Sequence, residues 1–228
     1  YDIIEGRSIL SLHLLTEKME GCDAVIHLAA IPCPNYPGKS VEDYYRVNVL
    51  GSHLVFMAAE RNKVKKVVFP SSMAIYGDPF RVKYVPIDLE HPTILDWDGR
   101  EPYAKTKLIA ERMIKGFPFI GIVIRFGSVN EHRPWIQHCP IGETIKIHPR
   151  DVGLACCNAL KIEESTLINF CKPKPKEAID KAIDHIQKLN SEQCLNGWWP
   201  YRTLDVRKEC TESLFDIEEA KNLIGRTN

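Results

Sequence analysis

The sequence predicts an α/β fold in which helices flank a parallel β-sheet. In the first half of the chain, short apolar runs rich in β-branched residues alternate with longer helical patterns, which is the βαβ rhythm of a parallel sheet. The predicted strands are continuous in apolar character, as strands buried on both faces are. The composition agrees, since 44% of the 228 residues are hydrophobic and 26% are charged, which are ordinary values for a globular protein.

The elements of the first half follow one another as strand and helix in turn. A short extended run at 2–5 is followed by a helical pattern that ends at Met19. The run D-A-V-I-H-L predicts a buried strand at 23–28. A long helix is predicted over 41–61, because apolar residues recur there three or four positions apart. The next elements are a strand at 66–70, a helix at 102–115 that begins with proline, and a strand at 119–126.

The second half of the chain is less regular. Helical patterns are predicted at 151–161, 179–186 and 214–224, with a short strand at 166–170. Lysine and proline alternate at 172–176 and predict a stiff, solvated break. We place the boundary near Asn130, so that residues 1–130 form the sheet domain and residues 131–228 form a smaller C-terminal part.

The charge balance excludes several classes of protein. Thirty basic and thirty acidic side chains give a formal net charge of zero, and the isoelectric point is near 7.2. This balance does not suit a strongly basic protein that binds nucleic acid or a membrane surface. No apolar run approaches the roughly 18 residues that a membrane span needs. The visible N-terminus does not have the basic and then apolar pattern of a secretory signal.

Eight cysteines are scattered along the chain without a C-x-x-C pair. We therefore expect reduced thiols, packed mostly as small apolar side chains, and a cytoplasmic location. His132, His138 and Cys139 lie close together in sequence, but their spacing fits no standard zinc pattern. No metal site is expected.

The first candidate for chemistry is the pair Tyr103 and Lys107 in the run Y-A-K-T-K. On a helix, residues four apart share a face, and an ammonium beside a phenol lowers the pKa of the phenol. A tyrosinate near neutral pH can accept a proton from an alcohol as a hydride leaves the alcohol carbon. A surface Tyr and Lys at this spacing by chance would explain the run equally well.

Two further features lie where an open parallel sheet binds ligands, at the carboxyl ends of strands. Ser71 and Ser72 follow the strand at 66–70, where a hydroxyl either orients a substrate oxygen or caps a turn. The residues H-L-A-A at 27–30 end the preceding strand. Small residues there either let a flat cofactor approach the backbone or simply make a tight exit from the strand.

Asn48 and Gly51 lie inside the long predicted helix. A glycine in a helix interior costs about 1 kcal/mol relative to alanine. A close packing contact between the helix and the sheet would explain Gly51. Asn48 is placed to hold a water or the carbonyl of a neighbouring loop.

The order and spacing of these features resemble one protein family. The segments D-A-V-I-H-L-A-A, N-V-L-G-S, V-V-F-P-S-S-M-A-I-Y-G and E-P-Y-A-K-T-K-L-I-A-E follow one another as in the NAD-dependent epimerase/dehydratase family, the extended short-chain dehydrogenases/reductases. The similarity continues through I-V-I-R-F-G-S-V, H-P-R-D-V-G-L-A and S-L-F-D-I-E-E-A-K-N-L-I-G, nearly to the end of the chain. It implies an incomplete Rossmann-type sheet domain for NAD or NADP, with NAD favoured, and a smaller domain that binds a sugar or nucleotide sugar.

The resemblance also implies roles for matching residues. Tyr103 matches the catalytic base, Lys107 matches the partner that lowers its pKa and binds the ribose, and Ser72 matches the hydroxyl that polarises the substrate. The residues implied to contact the cofactor are Leu28, Ala29, Ala30, Ile31, Asn48, Tyr103 and Lys107.

The implied reaction is oxidation of a sugar hydroxyl, in which Tyr103 takes the proton and the nicotinamide takes the hydride. Return of the hydride to the other face gives an epimerase, and release of the oxidised product gives a dehydrogenase. The dehydratases of the family carry Asp and Glu directly after the hydroxyl residue. Met73 and Ala74 occupy those positions here, so a dehydratase is not expected.

The loop at 125–135 is expected to face the substrate, with Ser128 and Arg133 as candidate substrate-binding residues. It is loosely similar to family members that act on uronic acids, in which an arginine could grip a carboxylate bidentately. A surface arginine without a ligand would explain Arg133 as well.

Two departures from the family bear on the cofactor. Gly6 is followed by Arg7, where relatives usually place an Asp near the adenine. The 228 residues contain no G-x-x-G-x-x-G, the loop that cradles the pyrophosphate at a helix N-terminus. We therefore expect Tyr1 to begin a fragment that starts at the third strand of the family and binds NAD weakly. Such a fragment can carry the catalytic residues and still be inactive alone.

Two further expectations concern function and partners. The alternative to an enzyme is a non-catalytic binding or regulatory protein that keeps the fold. By analogy with the family, a homodimer is expected through the helices predicted at 41–61 and 102–115. No nucleic acid or membrane partner is expected.

Overall fold

A computed structural model describes residues 9–34, 36–77, 83–93, 102–129, 144–193, 205–206, 213 and 215–224. The α-helices are α1 (Leu12–Lys18), α2 (Val41–Tyr44), α3 (Ser52–Arg61), α4 (Pro102–Ile114), α5 (Pro149–Ala159), α6 (Lys176–Gln193) and α7 (Glu218–Ile224). The strands are β1 (Ala24–Ile26), β2 (Lys66–Ser72), β3 (Tyr84–Val85), β4 (Ile120–Phe126), β5 (Thr166–Phe170) and β6 (Asp205–Val206). A π-helix (Tyr45–Gly51) joins α2 to α3, and a 3₁₀-helix (Met73–Tyr76) follows β2.

The main sheet confirms the predicted α/β class. Its four strands stand in the order β1-β2-β4-β5. β1 and β2 are parallel, with Ala24 opposite Lys66 and Ile26 opposite Val68. Helices occupy the connections between these strands, as the βαβ rhythm predicted. The predicted extended run at 2–5 lies outside the described residues.

The long helix predicted at 41–61 is present but is not a uniform α-helix. Ser40 caps it with a capping box, in which its hydroxyl accepts from the Asp43 amide and the Asp43 carboxylate accepts from the Ser40 amide. The middle third is the π-helix, which the apolar periodicity did not reveal. Gly51 closes this π-helix, and a side chain there would overlap the Ile9 side chain. The predicted close contact at Gly51 is therefore present, but its partner is Ile9 in the turn before α1, not a strand.

An aromatic cluster packs α3 against β2. Phe56 is fully buried. Its ring centroid lies 5.9 Å from that of Phe69 and 5.5 Å from that of Phe117. The pair Phe117 and Phe119 stacks at 5.5 Å beside it. Large buried rings of this kind supply much of the apolar burial that stabilises a sheet face.

A second, small sheet was not predicted. It pairs β3 with β6 in parallel, with Tyr84 opposite Asp205. An isolated parallel bridge between Ile87 and Phe215 also joins the segment after β3 to a residue near the C-terminal end of the described chain. Two-residue strands carry no measurable periodicity, so no local pattern could predict them.

The chain divides into two compact units, and each unit is built from three stretches. Unit 1 contains Tyr1–Ser71, Gly99–Ile124 and Ala159–Thr166. Unit 2 contains Ser72–Asp98, Arg125–Asn158 and Leu167–Asn228. The predicted boundary at Asn130 lies outside the described residues, and the division of the chain into 1–130 and 131–228 stays a prediction.

The structure also bears on membrane helices, cysteines and metal sites. No helix in the described part of the chain is long and apolar enough to cross a membrane. The described cysteines are free thiols: Cys22, Cys33, Cys156, Cys157 and Cys171. Among the residues that the structure describes, no group of three or more His, Cys, Asp or Glu could hold a metal ion. His132, His138 and Cys139 lie outside them.

Candidate active site

The candidate site in unit 1 is built on one face of α4. Tyr103, Lys107 and Glu111 follow one another at intervals of four residues and so share that face. All three are buried, with 9%, 6% and 3% of their surfaces exposed. The sequence predicted the first two residues and missed Glu111. Its position, four residues after Lys107, was the available signal.

The Lys107 ammonium is held against an aromatic ring. Its Nζ lies 4.3 Å from the centroid of the Phe69 ring on β2, a cation–π contact. Burial lowers the pKa of Lys107 to about 8, and the Glu111 carboxylate opposes this shift by favouring the charged form. A lysine in this position remains mostly charged at neutral pH, but only by a narrow margin.

Glu111 has its own anchor on the same strand. The Ser71 hydroxyl donates a hydrogen bond to Glu111 Oε1, and Ser71 is itself buried. From the sequence, Ser71 was considered together with Ser72 as a hydroxyl that orients a substrate oxygen or caps a turn. The structure gives it a distinct partner on α4.

His27, at the end of β1, completes the polar cluster as a neutral ring. The Ser52 hydroxyl donates to the Asn48 carbonyl at 2.7 Å, so the 2.9 Å contact between Ser52 Oγ and His27 Nε2 requires the ring hydrogen on Nε2. Burial first, and the positive Lys107 second, lower the pKa of His27 to about 3. The imidazole is therefore uncharged at neutral pH.

Asn48 fixes the loop after β1 and links it to α4. Its Oδ1 accepts from the Ile31 amide at 2.8 Å, and its Nδ2 donates to the Ile31 carbonyl at 3.3 Å. The same Nδ2 donates to Thr106 Oγ1 at 3.2 Å, and Thr106 donates to the Tyr103 carbonyl at 2.9 Å. The expected contact between Asn48 and a loop carbonyl is thus present, and it involves a residue of the implied cofactor loop.

The residues of that loop differ in exposure. Ile31 is buried, whereas Leu28 is 65% exposed although it is a large apolar residue. Ala29 is exposed and Ala30 is partly exposed. An exposed leucine at the carboxyl end of a parallel strand fits an apolar ligand surface.

Ser72 is the first residue of unit 2, whereas Tyr103 and Lys107 belong to unit 1. Its hydroxyl oxygen accepts from the Ala74 amide at 3.1 Å and caps the 3₁₀-helix. This is the turn-capping role that the sequence left open. Its role in polarising the substrate stays a prediction.

The other two predicted substrate residues also belong to unit 2. The Ser128 amide donates to the Ile145 carbonyl at 2.8 Å, and Ser128 forms an isolated bridge with Lys146. Arg133 lies outside the described residues.

Unit 2 contains a buried polar chain that the sequence did not reveal. Arg125 Nη1 donates to the Tyr76 hydroxyl at 2.8 Å, and that hydroxyl donates to Asn169 Oδ1 at 2.8 Å. Asn169 Nδ2 in turn donates to the Ile87 carbonyl at 3.2 Å. These residues are far apart in sequence, so no local spacing could have predicted the chain.

Comparison with known proteins identifies the family. Residues 7–118 match the model of the NAD dependent epimerase/dehydratase family. Through these residues, the chain belongs to that family. The matched range contains Tyr103, Lys107, Ser72, Asn48 and the loop at 28–31, whereas Ser128 and Arg133 lie beyond it. The predicted family membership is confirmed.

Individual members of the family show sequence similarity over part of the chain. The chain is 36% identical to a UDP-glucose 4-epimerase of Mus musculus over 98 residues, which are 43% of this chain and 26% of that protein. It is 38% identical to a UDP-glucose 4-epimerase of Halalkalibacterium halodurans over 91 residues, which are 40% of this chain and 25% of that protein. The matched part thus spans about a quarter of the length of these relatives.

Solved structures show the same fold over nearly the whole chain. MoeE5 in complex with UDP-glucose and NAD is 21% identical with a TM-score of 0.62, over 93% of this chain and 76% of that one. UDP-glucuronic acid 4-epimerase from Bacillus cereus in complex with NAD is 19% identical with a TM-score of 0.59, over 100% and 74%. The predicted Rossmann-type fold is confirmed.

Proposed function

We propose that this member of the epimerase/dehydratase family is an NAD-dependent epimerase or dehydrogenase that acts on a hydroxyl of a nucleotide sugar. The observation that carries the proposal is the buried face of α4, where Tyr103 and a charged Lys107 lie one helical turn apart. The family match over these residues and the nucleotide sugars named for MoeE5 and the UDP-glucose 4-epimerases support the substrate class.

In this proposal each residue has one task. Tyr103 accepts the proton of the sugar hydroxyl, because the Lys107 ammonium lowers the pKa of the phenol. Ser72 polarises the oxygen of the substrate, a role that rests on the family resemblance. Water elimination is not proposed, because Met73 and Ala74 carry no group that can exchange a proton.

The residues that the family resemblance implies to contact NAD differ in how far they are exposed. Leu28 and Ala29 offer exposed apolar surface after β1, and Asn48 holds the backbone of the same loop at Ile31. Tyr103 and Lys107 are only 9% and 6% exposed. Bound NAD would supply the hydride acceptor. Ser128 and Arg133 remain proposed substrate contacts.

The Tyr103→Phe variant tests the enzyme proposal. We first expect the wild-type chain, at NAD concentrations above its measured dissociation constant, to form NADH from a UDP-sugar or to convert UDP-glucose into its C4 epimer. Because the phenol is the base, Tyr103→Phe should lower the rate by about 10²–10⁴-fold. The matched control is Tyr45→Phe, at a tyrosine that is 40% exposed on the π-helix, which should leave the rate unchanged.

Two results would contradict the proposal. Undiminished turnover in Tyr103→Phe would show that the base assignment is wrong. The wild-type chain could also bind NAD and a UDP-sugar, measured by calorimetry, without ever forming product. That result would favour a non-catalytic binding protein over an enzyme.

A further inference from the structure

The contacts between α4 and β2 extend beyond the Tyr103–Lys107 pair. Lys107 and Glu111 lie four residues apart on α4, and each meets a side chain of β2. Those two side chains, Phe69 and Ser71, are two residues apart and so point to the same face of the strand. Ammonium and carboxylate therefore sit side by side in one buried layer, each held by its own strand residue.

Burial makes the charge of Lys107 dependent on its neighbours. An ionised group away from water is costly unless an opposite charge compensates it. Two titratable groups are coupled to Lys107: Glu111 on α4 favours its charged form, and His27 at the end of β1 is neutral at pH 7 and has its own pKa lowered by the Lys107 charge. Tyr103 lies one turn earlier on α4. The polar side chains that the 41–61 helical region brings to the cluster, Asn48 and Ser52, do not titrate.

We propose that Glu111 is a positioning residue that keeps the Lys107 ammonium charged over Phe69, with Ser71 holding the Glu111 carboxylate in place. The catalytic consequence rests on the function proposed above, but the electrostatic one does not. Without the carboxylate, Lys107 would lose its proton at a lower pH and would favour the phenolate of Tyr103 less. Glu111 thus acts on the reaction through Lys107 and does not itself touch substrate.

The first test follows the charge of Lys107 directly. In the full 228-residue chain labelled with ¹³C at the lysine Cε, the Lys107→Met variant identifies the Lys107 signal by its loss. We expect this signal to titrate near pH 8 in the wild type, as its pKa indicates. Glu111→Gln should lower the proton affinity of Lys107 by about tenfold or more, which is one pH unit. Glu60→Gln, at an exposed position of α3, is the matched control and should leave the titration unchanged.

Ser71→Ala gives a second, milder variant if Glu111→Gln does not fold. It keeps the carboxylate and removes its hydrogen-bond donor, so the carboxylate moves more freely and attracts Lys107 less. The midpoint of Lys107 should therefore fall in the same direction by a smaller amount. An unchanged midpoint in every folded variant at positions 111 and 71 would overturn the proposal.

The pH dependence of turnover adds the catalytic readout. In Glu111→Gln the alkaline limb of the pH–rate profile should move to lower pH by the shift seen for Lys107, and Glu111→Asp should restore part of it. A merely structural role for Glu111 would lower the rate equally at all pH values, which would contradict the proposal. A wild-type chain without turnover would defeat the proposed function, whereas the lysine titration would still test the role of Glu111.

Discussion

At the scale of single residues, two basic groups of unit 1 are buried within reach of each other's charge. The structure accommodates them by different means. His27 is kept neutral by burial and by the nearby positive Lys107, and its ring hydrogen is used by Ser52. Lys107 keeps its charge through Glu111. The two means depend on each other, because a charged His27 would repel the ammonium that Glu111 stabilises.

The neutral state of His27 predicts an acid-sensitive fold. Its pKa is about 3 in the folded protein against 6.5 ordinarily, so the unfolded chain binds the proton first as the pH falls. The free energy of unfolding should therefore decrease below pH 6.5, by up to about 1.4 kcal/mol per pH unit from this group. Urea denaturation at a series of pH values measures it.

Two histidine variants isolate this contribution. His27→Gln keeps a donor for Ser52 and removes the titration, so its stability should depend less on pH between 6.5 and 3. His13→Gln, at an exposed position of α1, should keep the wild-type dependence. Equal slopes for His27→Gln and the wild type would show that His27 is not the neutral buried group described above.

At the scale of elements, two glycines in different local settings have opposite roles. Gly153 lies in the interior of α5, and a side chain there would meet nothing within 4 Å. Gly127 follows β4, and a side chain there would overlap the Ile145 carbonyl oxygen. One glycine is therefore replaceable, and the other is required by the close approach of two backbones.

This contrast predicts opposite effects of the same substitution. Gly153→Ala should stabilise the protein by about 1 kcal/mol, because alanine favours a helix interior. Gly127→Ala should destabilise it by about 1–3 kcal/mol, because the backbone must shift to admit the methyl group. Chemical denaturation of both variants measures the two changes. A neutral Gly127→Ala would mean that the segment carrying Ile145 yields without cost.

The elements also show what local sequence patterns can and cannot reveal. The helix at 41–61 and the strand at 166–170 were predicted, because apolar periodicity and continuous apolar runs are local signals. The π-helix was not predicted, because one widened turn leaves nearly the same apolar spacing. At the candidate site, Tyr103 and Lys107 were selected by their four-residue spacing and the family resemblance, and their catalytic roles stay predictions. The partnership of Ser71 with Glu111 joins residues 40 positions apart and appears only when β2 meets α4.

At the scale of the whole molecule, the helical region at 41–61 leaves an apolar stripe uncovered. Val41, Tyr45 and Leu50 are 60%, 40% and 48% exposed. Leu50 follows Tyr45 by five residues, the hydrogen-bond spacing of a π-helix, and Val41 precedes Tyr45 by four, so the three side chains lie near one face. Apolar stripes of this kind commonly mark interfaces between proteins. The stripe agrees with the homodimer proposed by analogy with the family.

The dimer proposal predicts the effect of a charge on this stripe. The wild-type chain should sediment as a dimer in analytical ultracentrifugation, and Leu50→Glu should shift it to a monomer because an ionised group cannot be buried there without a partner. Leu154→Glu, at an apolar residue of α5 that is 43% exposed, is the control and should remain dimeric. A wild-type monomer at all concentrations, or a dimer that tolerates Leu50→Glu, would contradict the proposal.

The interleaving of the two units has a consequence for protein synthesis. Unit 1 draws its last stretch from Ala159–Thr166, after most of the chain has been translated, and unit 2 begins at Ser72, long before that. A ribosome making this chain therefore exposes segments of both units before either has all its parts. Unit 1 has all its parts only once Thr166 has been made, when two stretches of unit 2 are already present, and neither unit can be excised by a single cut.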